Sequence, residues 1–188
     1  MLKTGLTANT PQNLQLNAGV FLKNYTKGDA ISPTDIIGAT RGGGSFSAVP
    51  TVHQVAIDGA PTYVKGLERV DEWVVQFNVS AFLEFTPDLL ARALGIAVTD
   101  TVVNDVDHKL TVSNAIASGD YKTIYWVGDL SNGQNVVIKL NNALNLAGLT
   151  ITANDRGEGT YPLTLTAHYD ISDLDTAPFE IIIEGAGD

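Results

Sequence analysis

The sequence has no cysteine and only 11 lysine and arginine residues among 188. Without thiols the chain forms no disulfide and offers no thiolate to a metal or a substrate. The basic residues form no run, whereas DNA-binding domains cluster lysine and arginine to neutralise phosphates. These absences exclude disulfide-stapled folds, cysteine enzymes and ordinary DNA-binding domains.

Long apolar runs are missing as well. The longest, such as residues 181–183, are far too short to cross a bilayer. No apolar stretch of signal-peptide length follows residues 1–6. We expect a protein that is made in the cytoplasm and does not enter membranes. The chain length predicts one domain, with a flexible N-terminal arm at residues 1–14 and a single β domain at residues 15–188.

Charge is distributed unevenly along the chain, whose net charge is −10. Residues 1–65 hold five basic and three acidic residues, whereas residues 66–188 hold six basic and eighteen acidic ones. Three explanations remain open. Repulsion keeps the protein soluble, or one surface is deliberately acidic, or the basic part of one copy contacts the acidic part of another.

Short apolar stretches between turn residues predict a mainly β fold, a sandwich or barrel with one short flanking α-helix. The clearest strand covers residues 72–85, where the predicted apolar face is Trp73, Val75, Phe77, Val79, Ala81 and Leu83. Asp58-Gly59 and Asn132-Gly133 predict type I′ turns, which need positive φ at both central residues. Further strands are predicted at residues 16–25, 45–57, 62–64, 109–117, 121–130, 136–140, 149–155, 160–169 and 179–184.

The helix is predicted at residues 86–94. Thr86 suits the N-cap and Pro87 the first helical position. Gly95 supplies the left-handed residue that ends many helices. Four residues form the apolar stripe of this helix: Leu89, Leu90, Ala93 and Leu94.

No motif predicts a catalytic, cofactor or metal site. The histidines, His53, His108 and His168, are not paired at metal-ligand spacing, and no Gly-x-Ser-x-Gly elbow is present. The acidic residues 170–175 lack the glycine and the terminal glutamate of an EF-hand loop. We therefore expect no enzyme activity and no cofactor.

Two features suggest surfaces rather than reactive sites. The polar face of the long strand, with Glu72, Gln76, Asn78 and Ser80, suits the wall of a water-filled channel, although solvent exposure explains each residue equally well. The glycine segment, defined as Arg41, Gly42, Gly43, Gly44 and Ser45, lacks the ending of a phosphate loop and precedes no helix. It is either a mobile loop or a loop that contacts another subunit.

The order of several short motifs resembles the tail tube proteins of long-tailed phages and prophages of Gram-positive bacteria. Residues 37–46, which contain the glycine segment, are similar to the opening of the family's β domain. Residues 57–59 and 64–71 resemble its hairpin and its Lys-Gly-x-x-Arg-x-Asp continuation, and residues 83–90 its strand-to-helix junction. Residues 165–170 and 178–181 resemble its closing strands, so that the resemblance covers residues 36–184.

The resemblance implies a β-sandwich-like tail tube fold and no enzyme activity. It implies that six copies join edge to edge into a ring, and that rings stack into a tube in the virion tail. DNA passes through the lumen without specific binding. Tape-measure, tail terminator and distal tail proteins are the implied partners. Within this picture we expect Glu72, Gln76, Asn78 and Ser80 to line the lumen, and the glycine segment and the N-terminal arm to contact other subunits or rings.

Two alternatives remain beside this one. The runner-up in the same class is the inner tube of a contractile tail or injection device, which shares the fold that the resemblance implies. From another class, a β-sandwich module that binds a ligand such as a carbohydrate would use exposed aromatic residues as its platform, for instance Trp73, Tyr125 and Trp126.

Overall fold

A computed structural model describes residues 4–96 and 98–185 of the chain. In this part the protein is mainly β, with antiparallel strands and one α-helix, as the sequence predicts. The strands are Val20–Leu22 (β1), Gly44–Gln54 (β2), Glu68–Phe82 (β3), Val98–Val103 (β4), Asp107–Val112 (β5), Lys122–Asp129 (β6), Asn135–Asn145 (β7), Tyr161–Thr166 (β8) and Phe179–Ile183 (β9). Helix α1 is Pro87–Leu94, and short 3-10 helices lie at Thr10–Asn13 and Ser118–Asp120.

Strand β7 links the two layers of a β-sandwich-like body. The order along the main sheet is β1-β6-β7-β8-β3-β2, and β9 also pairs with β7. Most of β7 pairs with β6 and β9, whereas its last two residues, Leu144 and Asn145, pair with β8. The two layers enclose the core, where Phe21 of β1 meets Phe77 of β3 edge to face at 4.8 Å between ring centroids.

The alternating pattern of the long strand is confirmed for most of its length. Val75, Phe77 and Val79 are buried. The prediction that Ala81 and Leu83 continue this face is wrong, because the register shifts between Val79 and Phe82. An irregularity of this kind changes which face a side chain occupies. Phe82 is therefore fully buried, while Ala81 and Leu83 are only partly buried.

The predicted helix and both of its ends are confirmed. The Thr86 hydroxyl accepts a 3.3 Å hydrogen bond from the backbone N–H of Leu89, and Gly95 ends the helix with a φ of 80°. A Cβ at Gly95 would collide with the carbonyl oxygen of Asn145. Only glycine therefore satisfies both the positive φ and the close approach of β7 at this position.

Both predicted type I′ turns are wrong. Gly59 and Gly133 have φ of 80° and 82°, but the residue before each does not have a positive φ. Residues 55–67 form a long loop between β2 and β3, and residues 130–134 connect β6 to β7. Positive φ at two successive residues occurs instead at Asn104 (53°) and Asp105 (63°), and at Gly42 (81°) and Gly43 (70°) of the glycine segment.

Asn104 and Asp105 join β4 to β5, and the two strands form a hairpin. The sequence did not predict β4. This hairpin forms a separate two-stranded sheet. Two predicted strands are wrong: residues 62–64 lie in the β2–β3 loop, and residues 149–155 contain only an isolated bridge between Thr152 and Thr160.

Candidate assembly surface

The outer face of β2, β3 and β8 carries polar side chains with almost no charge. Gln76 and Asn78 lie on the side of β3 opposite the core, and their cross-strand partners on β8 are Thr166 and Thr164. Gln76 Nε2 donates to Thr166 Oγ1 at 3.3 Å, and Thr164 Oγ1 donates to Asn78 Oδ1 at 2.9 Å. On β2 their partners are Ser47 and Ser45.

This polar face is half-buried and held in place by its own hydrogen bonds. Glu72 extends it toward the exposed end of β3, where it pairs with Thr51. Within residues 72–80 of β3 and their partners on β2 and β8, Glu72 is the one charged residue on this face. The threonines of β8 were not predicted to belong to this face, although the alternation of Leu163 and Leu165 with Thr164 and Thr166 is the signal that identifies them.

The glycine segment lies against the end of this face. The residues predicted to line a lumen and those predicted to contact another subunit are therefore neighbours in the structure. Ser80 Oγ donates to the Gly42 carbonyl at 3.3 Å, and the N–H of Ser80 donates to the Gly43 carbonyl at 3.1 Å. Gly44 and Ser45 already belong to β2. An added Cβ at Gly44 would lie 2.7 Å from the Asn78 carbonyl oxygen, so the close approach of β3 requires glycine here.

Arg41 is the charged end of the glycine segment. Its guanidinium lies 3.0 Å from a carboxylate oxygen of Glu158, and both side chains are more than half exposed. A backbone hydrogen bond, followed by the hydrogen bond and charge of Arg41, holds the pKa of Glu158 below its ordinary value. An ion pair this exposed contributes little to the stability of the fold.

Strand β2 presents a free edge, because it pairs only with β3 within the described residues. The strand contains no lysine, arginine, aspartate or glutamate. Soluble proteins usually protect a free edge with charge, proline or an irregularity in pairing. Pro50 and the register shift after Thr51 protect the second half of β2, but residues 44–49 remain regular and uncharged.

Within residues 4–96 and 98–185, strand β9 pairs only with β7 and is therefore a second free edge, on the same side of the sandwich as β2. The ring of Phe179 on β9 lies 5.8 Å from that of Phe46 on β2. Beyond Phe179, Ile181, Ile182 and Ile183 are 54%, 42% and 68% exposed, although they lie on alternating faces of the strand. An edge strand that exposes apolar side chains on both faces is a predicted site of association.

The end of β9 is anchored by a buried carboxylate. Glu184 is 8% exposed, and it accepts hydrogen bonds from Tyr25 Oη (2.6 Å) and Asn135 Nδ2 (3.0 Å). Burial, and then the hydrogen bond to Glu184, raises the pKa of Tyr25. The anchor holds β9 on β7 even though its isoleucines are exposed.

The outer half of the β2–β3 hairpin, residues 49–74, exposes a series of apolar side chains. Val49 and Val74 lie opposite each other, as do Val52 and Val70 after the register shift. The exposed members of this series are Val49, Val52, Val55, Ile57, Tyr63, Val70 and Val74, at 37–80%. We call this region the distal hairpin; its exposed apolar side chains lie among charged ones such as Asp58, Lys65 and Asp71, and the rest of the chain does not cover them.

The described part of the N-terminal arm is exposed but attached at its end. The carbonyl of Leu14 accepts a hydrogen bond from the Ser131 N–H at 2.9 Å, and the N–H of Leu16 donates to the Asp129 carbonyl at 3.2 Å. Residues 1–3 of the predicted arm lie outside the described residues. The C-terminal end of the arm is therefore attached beside the connection between β6 and β7.

The aromatic platform expected for a ligand-binding module is not exposed. Trp73 and Trp126 are partly buried and pack against the main core, and Trp126 Nε1 donates to the Ala18 carbonyl at 3.0 Å. Tyr125 packs against a second apolar cluster and contacts Tyr25. The prediction of an exposed platform is wrong for these three residues, because their side chains pack against the two apolar clusters of the sandwich.

Among the described residues no group of three or more His, Asp or Glu side chains is arranged to hold a metal ion. In the same part of the chain, no helix combines the length and the apolar character needed to span a membrane. Comparisons with models of known protein families and with curated proteins found no match to this chain.

Proposed function

We propose that this chain is a self-assembling structural protein of the tail tube type, whose copies join into rings that stack into a conduit for DNA. The observation that carries the proposal is the regular, uncharged free edge of β2 at residues 44–49. A sheet edge of this kind is a template for another strand. Its neighbour β9 adds three exposed isoleucines on the same side of the sandwich.

Ring closure removes the exposed edges. When each copy pairs its free edge with the next, head-to-tail contacts close into a ring by rotation. A closed sheet has no edge left for uncontrolled aggregation. The number of six copies in a ring comes from the resemblance to tail tube proteins, as do the tape-measure, tail terminator and distal tail partners and the location in the virion tail.

The polar face is the proposed wall of the lumen. Its serine, threonine, asparagine and glutamine side chains are wetted by water but bring no positive charge to DNA phosphates. Lysine and arginine are the residues that make nucleic acids adhere, and the strands of this face lack them around Gln76 and Asn78. The net charge of −10 opposes binding of DNA further.

The distal hairpin is the proposed contact between copies at the rim of the lumen. It continues the strands of the polar face, and its exposed valines, Ile57 and Tyr63 offer apolar area to a neighbour. The glycine segment lies at the opposite end of the same strand pair, where Arg41 is exposed. The two ends of β2 and β3 are thus both suited to contacts between subunits or stacked rings.

Sedimentation of the purified protein over a hundred-fold range of concentration tests the proposal. We expect discrete species of ring size and larger, and we expect their fraction to increase with protein concentration. A monomer at every concentration, also after addition of preformed tail tips as initiators, would contradict the proposal. A sheath protein encoded beside this chain would assign the tube to a contractile tail or injection device.

A further inference from the structure

A cleft with a volume of about 260 Å³ opens between α1 and the sandwich. Its inner wall consists of core side chains, among them Phe21, Ile37, Phe82, Leu163 and Leu165. For comparison, an apolar cavity of about 150 Å³ in a protein core accommodates benzene. The cleft has room for one or two aliphatic side chains, and nothing in the described part of the chain fills it.

Charged groups line the mouth of this helix cleft: two cations, Arg92 and Lys122, and two carboxylates, Asp88 and Asp120. Lys23 adds a third cation through its contact with Asp88. Asp88 is shared between Lys23 Nζ at 2.8 Å and Arg92 Nε at 3.2 Å. Lys122 and Asp120 lie on the other side, and Asp120 accepts a hydrogen bond from the Ala117 N–H. Among the described residues Lys122 forms no ion pair.

A loop elsewhere on the surface has the complementary properties. Residues 170–176, the acidic loop, expose Ile171 at 94% and Leu174 at 68%. Three aspartates, at 170, 173 and 175, flank these two side chains. Ser172 donates to Asp170 Oδ1 from both its backbone N–H (2.8 Å) and its hydroxyl (2.6 Å). The loop is therefore a preformed turn that holds Ile171 in solvent.

We infer that the acidic loop of one copy docks into the helix cleft of another, an inference that rests on the proposed self-assembly. Ile171 and Leu174 supply apolar side chains of the size that the cleft accepts. The aspartates around them face Lys122, Arg92 and Lys23 at its mouth. The chain has a net charge of −10, and this mouth presents three cations against two carboxylates to an acidic loop.

Disulfide trapping tests the contact cleanly, because the chain contains no cysteine. Gly119 lines the cleft, and an added Cβ there meets no atom within 4 Å. A Gly119→Cys variant and an Ile171→Cys variant, one of them carrying a mass tag, are mixed, assembled and oxidised. We expect a mixed covalent dimer, which forms only between copies. The control replaces Ile171→Cys by Val106→Cys, whose site is 75% exposed at the β4–β5 turn.

The outcomes separate this inference from the proposed function. Assemblies that yield no more mixed dimer than the control overturn the docking while self-assembly stands. Absence of any assembly overturns both. As a second measurement, Ile171→Asp raises the concentration needed for assembly about ten-fold or more, because an apolar side chain no longer enters the cleft. An unchanged concentration contradicts the docking.

Discussion

The hydroxyl of Thr164 donates a 2.9 Å hydrogen bond to Oδ1 of Asn78 across the β3–β8 pair. Together with the bond between Gln76 and Thr166, it links the amide side chains of β3 to the hydroxyl groups of β8 across the polar face. Such a surface is wetted by water yet offers DNA no cation. This relationship is the physical basis for assigning the polar face to the lumen.

Changing both Gln76 and Asn78 to lysine tests the lumen assignment. We expect tubes to form while DNA ejection falls, because two added cations per subunit bind the phosphates that pass them. The measurement is the titre of infectious particles, with tube formation checked by electron microscopy. The control changes Thr99 and Thr111, which lie opposite each other on β4 and β5, to lysine. Normal infectivity of the Gln76 and Asn78 variant would refute the assignment.

A lysine on the free edge of β2 tests edge pairing. Val49 is 55% exposed, so the Val49→Lys variant keeps its fold while a charge obstructs the approach of a second strand. We expect a melting temperature close to that of the original protein and a strongly reduced yield of assemblies. Val112→Lys is the matched control, since Val112 is 63% exposed on β5. Equal assembly of both variants would show that β2 is not an interface.

Removing the charge of Arg41 tests the role of the glycine segment. The Arg41→Ala variant loses only an exposed ion pair with Glu158, and ion pairs this exposed contribute little to stability. We expect the free energy of unfolding to change little and assembly to weaken. Arg156→Ala, at a side chain 94% exposed, is the control. Assembly that is insensitive to Arg41→Ala would remove this arginine from the interface.

Deleting the three glycines is a poorer experiment than this substitution. Gly43 and Gly44 pair with β3, and loss of an odd number of residues would move β2 to the wrong face of the sheet. Failure of such a variant to assemble would therefore report misfolding as readily as a lost contact.

Acid should lower the free energy of unfolding by weakening the ion pairs that Asp88 of α1 forms with Lys23 and Arg92. Burial raises the pKa of Asp88, but the hydrogen bond from Lys23 and the charge of Arg92 more than offset this, so the pKa lies below its ordinary 3.8. A carboxyl group whose pKa is lowered in the folded state stabilises the fold above its unfolded pKa, and this stability is lost as the pH falls. Asp88→Asn should lower the melting temperature at about pH 6.

The same comparison at about pH 2 provides the control, because acid favours protonation of Asp88 and so removes the charge that asparagine also lacks. The difference in melting temperature between the original protein and Asp88→Asn should shrink there. A difference that persists unchanged at both pH values would show that the ion pairs with Lys23 and Arg92 do not stabilise the fold.

Local chemistry made the helix and the long strand predictable. Thr86, Pro87 and Gly95 define the two ends of α1 through hydrogen bonding and backbone conformation alone, and the alternation of Val75, Phe77 and Val79 requires only a period of two. The turns were less predictable. Gly59 and Gly133 do have positive φ, but the length of each connection depends on where the flanking strands stop pairing, which is a tertiary property.

Strand periodicity predicts which residues of β3 share the polar face but not which residues surround them. Gln76, Asn78 and Ser80 follow from strand periodicity, whereas their contact with Thr164, Thr166 and the glycine segment depends on which strands become neighbours. The free edge of β2 is likewise invisible in a single sequence, because an edge is defined by the absence of a partner strand. The register shift that buries Phe82 in place of Ala81 arises from pairing with β8.

Negative-stain electron microscopy of the purified protein at high concentration shows directly whether copies assemble. We expect rings or tubes with a central channel, built by copies that pair their free sheet edges. Uniform small monomers at every concentration, including in the presence of an initiating tail tip, would contradict this expectation.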